Sequence, residues 1–193
     1  DMAVIKQITD VIEGVEGIKL LDVDPGKATN RTVVTFVGEI DAVVEAAFRC
    51  VVKAAEVIDM RKHHGEHPRM GATDVLPLVP VSGITMEETA EYARQLAKRI
   101  ALEGGIPTYC YEYAAIRPER KKLAACREGE YEGLKPRFGI PEKMPDFAGE
   151  VWTKRAAQTG CTAVGARDFL IAVNFNLNTT STRRANAIAF DVR

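Results

Sequence analysis

Two β-branched segments joined by a tight turn lie between two amphipathic helical patterns, and that order constrains the fold more than anything else in the chain. Residues 19 to 23 read as a short buried strand, ended by the turn signal Asp24-Pro25-Gly26. Residues 32 to 37 form a second strand, rich in β-branched side chains. The short connection makes the pair a hairpin. Before it, Val4, Ile5, Ile8, Val11 and Ile12 recur at helical spacing until Gly14 and Gly17. After it, Val44, Ala47, Phe48, Val51, Ala55 and Ile58 form one apolar stripe along residues 41 to 58.

The pattern then alternates. Residues 74 to 81 read as a strand, with Pro77 and Pro80 marking an edge or a bulge. Thr85-Met86-Glu87-Glu88 is a capping box that opens a helix running to about residue 102. Residues 108 to 113 are the next strand. Residues 117 to 160 are charged and broken by Pro and Gly, an irregular surface excursion with a short helical piece at 119 to 126. Residues 169 to 177 read as the last strand, and a final helix begins at Thr182 and is still in progress at Arg193. Helices alternating with strands, around an early hairpin, predict an α+β sandwich: a mixed sheet with helices packed on one face.

Composition removes several functions. The chain has 193 residues, 46% hydrophobic and 27% charged, enough for a real core in one domain or two small lobes. The formal net charge of -1 provides no global field toward nucleic acid or a membrane. No apolar run approaches a membrane span, and no signal peptide is visible. Cys50, Cys110, Cys126 and Cys161 form no Cys-x-x-Cys pair and read as reduced thiols of a cytoplasmic protein. There is no Gly-x-Gly-x-x-Gly, no Walker loop and no Gly-x-Ser-x-Gly elbow.

Chemistry concentrates in one loop. All three histidines, His63, His64 and His67, fall within five residues, in Arg61-Lys62-His63-His64-Gly65-Glu66-His67-Pro68-Arg69-Met70-Gly71. Three readings are open. His63 and His67 have the spacing of two metal ligands on one helix face, but Gly65 and Pro68 argue against a helix there. One histidine could act as general acid and base, oriented by Glu66, Asp74, Asp22 or Asp24, with Arg69 or Lys62 holding an anionic substrate. The loop could also be a solvated turn. Cys161 is a possible nucleophile, more simply an inert buried thiol. Trp152 could stack on a flat ligand or lie as a lid over the core.

The residues around this loop resemble those of glutamate formiminotransferases. The resemblance rests on His64-Gly65-Glu66-His67-Pro68-Arg69-Met70-Gly71-Ala72 with Asp74-Val75. It continues through Leu20-Leu21-Asp22-Val23-Asp24, Thr29-Asn30-Arg31-Thr32-Val33 and Thr35-Phe36-Val37-Gly38. Downstream it includes Pro77-Leu78-Val79-Pro80-Val81, Cys126-Arg127-Glu128-Gly129-Glu130-Tyr131-Glu132, Pro145-Asp146-Phe147, and Ala163-Val164-Gly165-Ala166-Arg167-Asp168-Phe169-Leu170-Ile171-Ala172.

The resemblance implies transfer of a formimino group from N-formimino-L-glutamate to N5 of tetrahydrofolate, in histidine degradation. It implies a ferredoxin-like amino-terminal subdomain over residues 1 to 193, tetrahydrofolate as co-substrate and no metal. It also implies a cytoplasmic homodimer whose partners are small molecules. The family's essential histidine falls on His67, as general acid and base. Asp24, Glu66 and Arg69 are the expected substrate contacts. The family's folate loop falls on Ala148, Gly149, Glu150, Val151, Trp152, Thr159 and Gly160, although Ala148-Gly149 replaces the family's Gly-Pro. The family's opening strand, with a Cys-Val-Pro-Asn-Phe-Ser-Glu-Gly motif, and its second subdomain have no counterpart, so a piece of a longer chain is expected. The alternatives are a non-catalytic folate-binding subdomain, or a metal-dependent enzyme using His63, His64 and His67.

Overall fold

The computed structural model describes residues 1–149, 151–171 and 175–192. The opening helix α1 spans Met2–Glu13, with the Asp1 carboxylate accepting from the Ala3 amide at 2.8 Å. Strands β1 (Lys19–Gly26) and β2 (Arg31–Val37) then form the expected antiparallel hairpin. Helix α2 follows over Ile40–Val57 and β3 over Val75–Leu78. The capping box forms as the sequence predicts: Thr85 and Glu88 satisfy each other's backbone at the start of α3 (Met86–Gly104), and Gly105 ends it in the left-handed region at φ 67. Then come β4 (Thr108–Glu112), short helices α4 (Leu123–Arg127), α5 (Leu134–Arg137) and α6 (Lys154–Thr159), strand β5 (Thr162–Ala166) and helix α7 (Thr182–Val192).

The α+β class is as expected, with antiparallel and parallel pairing both present. The pairings fall in two sheets among the described residues rather than in one mixed sheet: β1-β2, and a parallel sheet of order β3-β5-β4. β3 is an edge strand, as Pro77 within it favours, and Pro80 lies beyond its end.

The expected strand at residues 169 to 177 is a second correction. Residues 167 to 171 and 175 to 177 are not strand, and 172 to 174 lie outside the described residues. The last strand among the described residues is Thr162–Ala166, the centre of the parallel sheet, and every residue of it is buried. Burial on both faces selects small side chains here, so the segment carries no alternating pattern. Phe169, Leu170 and Ile171 made the stronger apolar signal, yet they are 73%, 72% and 87% exposed.

Helices also cover both faces of the parallel sheet, not one. On one face, Ala47, Val51 and Ala55 of α2 and Ala93, Leu96, Ala97 and Ile100 of α3 pack on Leu76, Leu78, Cys110 and Val164. On the other, Tyr109, Tyr111 and Ala163 meet Cys126 of α4, Leu134 of α5, Met70 and Cys161, with Phe138 and Trp152 at the margin. Tyr111 lies opposite Gly165 in the register, and a Cβ on Gly165 would overlap its ring.

The irregular excursion is fastened by buried charge. The Asp146 carboxylate accepts from the Cys110 amide at 2.8 Å and from Arg120 Nη1 at 2.5 Å. Arg120 also donates to the Met144 and Glu142 carbonyls and lies over the Tyr109 ring at 4.8 Å. Both charged side chains are almost fully buried. Removing one partner strands the other charge, so Asp146→Ala is expected to cost about 3–5 kcal/mol in urea unfolding. A loss under 1 kcal/mol would mean the pair is solvated.

Candidate active site around the histidine loop

The histidine loop runs from the end of α2 to the start of β3, and three anchors give it shape. The first is the hairpin turn. Asn30, in the left-handed region at φ 48, donates through Nδ2 to the His64 carbonyl at 2.8 Å and contacts His63 Nδ1 at 3.3 Å. The second is Arg69. Its Nε donates to the His63 carbonyl at 2.9 Å, and its two Nη atoms reach the Glu132 carboxylate at 2.7 and 3.2 Å. That fork holds the Glu132 carboxyl below its ordinary value.

The third anchor is a close backbone crossing. Gly71 pairs with Gly160 in an antiparallel bridge, with Cys161 N–H donating to the Met70 carbonyl and Ala72 N–H to the Thr159 carbonyl. A Cβ on either glycine would overlap the opposite backbone, and Gly160 has φ 67.

His67 is the member of the cluster with both ring nitrogens engaged. Nδ1 lies 2.6 Å from the Pro68 carbonyl oxygen, and Nε2 lies 2.6 Å from Arg31 Nη1. A carbonyl only accepts and a guanidinium only donates. The ring therefore carries its proton on Nδ1, with the Nε2 lone pair facing Arg31. His67 and Arg31 both line a cleft of about 2230 Å³ between β2 and β3, floored in part by α1 and α2. That volume is larger than a single small-molecule site needs.

The sequence-predicted residues divide. His67 and Arg69 reach this cleft. Arg69 is already committed to Glu132, so it shapes the loop rather than standing open to a substrate carboxylate. Asp24 and Glu66 are exposed and do not line the cleft. Of the predicted folate loop, Ala148, Gly149 and Val151 are exposed and Glu150 lies outside the described residues. Trp152 packs edge-on against Phe138 at 5.2 Å, as a lid over the core. Thr159 and Gly160 belong to the backbone crossing under the histidine loop. None of the described residues of this loop lines the cleft that holds His67.

The three histidines do not converge. His63 faces the Asn30 amide, while His64 and His67 face the guanidiniums of Arg69 and Arg31. A guanidinium beside two of the rings repels a metal cation. Among the described residues, no group of three or more His, Cys, Asp or Glu side chains is placed to hold one.

Arg31 is the residue that sequence reasoning missed. It stood inside a matched block, but only the folded hairpin brings it to a histidine 36 positions away. Asp74 emerges as a structural partner, accepting from the Met70 amide at 2.7 Å and from Arg127.

Comparison with known proteins settles the lineage. Residues 1–167 match the family model described as the formiminotransferase domain, N-terminal subdomain. The chain belongs to the formiminotransferase family. It is 46% identical over 193 residues to a formimidoyltransferase-cyclodeaminase of Dictyostelium discoideum, covering all of this chain and 35% of that protein. It is 44% identical over 193 residues to a glutamate formimidoyltransferase of Streptococcus pyogenes serotype M1, covering all of this chain and 64% of the relative. A glutamate formimidoyltransferase of Thermoplasma acidophilum is 44% identical over 191 residues, 98% of this chain and 62% of that one. This formiminotransferase subdomain thus spans about a third of the two-activity relative and under two thirds of the others.

The thiols of Cys110, Cys126 and Cys161 are buried. Burial pushes the Cys110 and Cys126 thiols up to about 12 and about 11, and raises Cys161 as well. Only the thiolate alkylates. Iodoacetamide at pH 7.5 is expected to leave these three unmodified in native protein and to label them in urea, read by mass spectrometry. Native labelling of Cys161 would contradict its burial.

Proposed function

We propose that this subdomain supplies the proton-transferring histidine for moving a formimino group from N-formimino-L-glutamate to N5 of tetrahydrofolate. The observation that carries the reading is the setting of His67: a neutral imidazole, fixed at Nδ1 by the Pro68 carbonyl, with its Nε2 lone pair directed into the cleft toward a cation. The names of the relatives, glutamate formimidoyltransferases among them, support the reaction class.

The chemistry needs one group that takes a proton and returns it. The folate N5 attacks the amidine carbon, a C–N bond forms, and N5 loses its proton to His67 Nε2. The tetrahedral adduct then breaks its bond to the glutamate nitrogen. That nitrogen leaves as an amine, taking the proton back from the imidazolium. The Pro68 carbonyl keeps the ring oriented throughout.

Arg31 must first release Nε2. A carboxylate is a stronger partner for a guanidinium than an imidazole is. The arrival of a dicarboxylic substrate is therefore what frees the base, and Arg31 then holds the substrate near it.

His67→Ala is expected to lower the transfer rate by about 10²–10⁴-fold with thermal unfolding nearly unchanged, because the side chain lies outside both core clusters. Transfer assayed from formiminoglutamate to tetrahydrofolate at a rate within threefold of wild type would end this reading. Arg31→Met is expected to raise KM for formiminoglutamate more than it lowers kcat. The reverse split would place Arg31 in the chemical step alone.

A further inference from the structure

We infer that the cleft carries a second polar subsite, formed by Tyr111, Arg127 and Arg167, that takes a glutamyl carboxylate. The inference rests on the formimino-transfer reading for the identity of the ligand, not for the existence of the site.

Two buried donor atoms there have no acceptor among the described residues, and the guanidinium of Arg167 lies beside them. Tyr111 is 2% exposed, and its buried hydroxyl proton finds no acceptor among the described residues, with the donor-only guanidinium of Arg167 beside it. Arg127 Nε is buried and unpartnered in the same sense. Arg167 donates to the Asp168 carbonyl but makes no ion pair with a carboxylate among the described residues. All three line the cleft that also holds His67. Buried polar groups are nearly always satisfied, so two orphan donors beside a further guanidinium point to an acceptor that arrives from outside.

The placement is built into the fold. Tyr111 is the penultimate residue of β4, and its ring crosses β5 over Gly165, where any side chain would block it. Arg167 follows β5 directly, with its amide donating to the Leu78 carbonyl at the end of β3. The subsite therefore sits at the carboxyl ends of parallel strands, where open α/β sheets gather their ligands. Arg127 is oriented by Asp74, and the other Asp74 oxygen accepts from Met70 in the histidine loop. One carboxylate thus ties the subsite to the catalytic loop.

Charge selects the ligand. Asp74 pairs with Arg127, which leaves Arg167 as the guanidinium without a carboxylate partner among the described residues. Glu112, on the same wall, carries the opposite sign. That balance suits a singly charged carboxylate and disfavours a phosphate. Glutamyl carboxylates occur in both expected substrates: on the amino acid itself and on the tail of folate.

Titration calorimetry on the purified protein separates these sources. The probes are L-glutamate, and pteroylglutamate beside pteroate, which lacks the tail. Tyr111→Phe and Arg167→Met are each expected to weaken binding by about tenfold or more, the worth of a hydrogen bond to a charged group. Weakened L-glutamate binding assigns the subsite to the amino acid. Weakened pteroylglutamate binding with pteroate unchanged assigns it to the folate tail. Tyr111→Phe should leave the thermal midpoint unchanged or raised, because it deletes an unsatisfied hydroxyl and the ring still fits over Gly165. Binding of L-glutamate and pteroylglutamate within twofold of wild type in both variants would overturn the inference. So would a wild-type protein that binds neither. A His67→Ala protein that still transfers would end the functional reading while leaving this titration as it stands.

Discussion

The burial of β5 on both faces is the constraint on which the rest depends. A parallel strand at the centre of a three-stranded sheet must satisfy its backbone on both edges and pack on both sides. Thr162-Ala163-Val164-Gly165-Ala166 does this with small side chains only. Smallness lets α2 and α3 close on one face and leaves room for the tyrosines of β4 on the other. The Tyr111 ring occupies the space that Gly165 leaves. Immediately before the strand, Gly160 and Cys161 clasp the backbone of Met70, Gly71 and Ala72, so the sheet's central strand also sets the position of the histidine loop.

The loop itself is held by polar contacts from separate parts of the fold. The hairpin turn contributes Asn30 and Arg31, and the irregular excursion contributes Glu132 and Arg127. Each long-range contact is modest alone. Together they leave one ring, His67, between a carbonyl and a guanidinium at the cleft. The division of labour between the arginines follows. Arg69 is held by Glu132 within the loop, and Arg31 faces His67 at the cleft.

Local patterns were legible wherever one side chain acts on its own backbone. The capping box at Thr85, the hairpin and the apolar stripe of α2 were readable because their signals lie within a few residues. The β5 strand was not, since double burial erases alternation and small residues look like a loop. Phe169, Leu170 and Ile171 misled for the opposite reason: apolar character marks them, yet they are exposed. His67 was legible through the resemblance of its loop. Arg31, Tyr111 and Arg167 were not, because their roles arise from strand register and loop docking over long sequence separations. Asp24, singled out by its matched block, and Glu66, singled out by its place beside His67, are exposed and do not line the cleft.

The claim that ties these observations together is that His67 is presented as an imidazole protonated on Nδ1, with the Nε2 lone pair accepting from Arg31. Long-range ¹H–¹⁵N correlation of the histidine rings at pH 8, with His67 assigned through His67→Gln, reads this directly. The account predicts a pyrrole-type shift for Nδ1 and a pyridine-type shift for Nε2. A pyrrole-type Nε2 would contradict it, because the ring would then point a proton, not a lone pair, at Arg31.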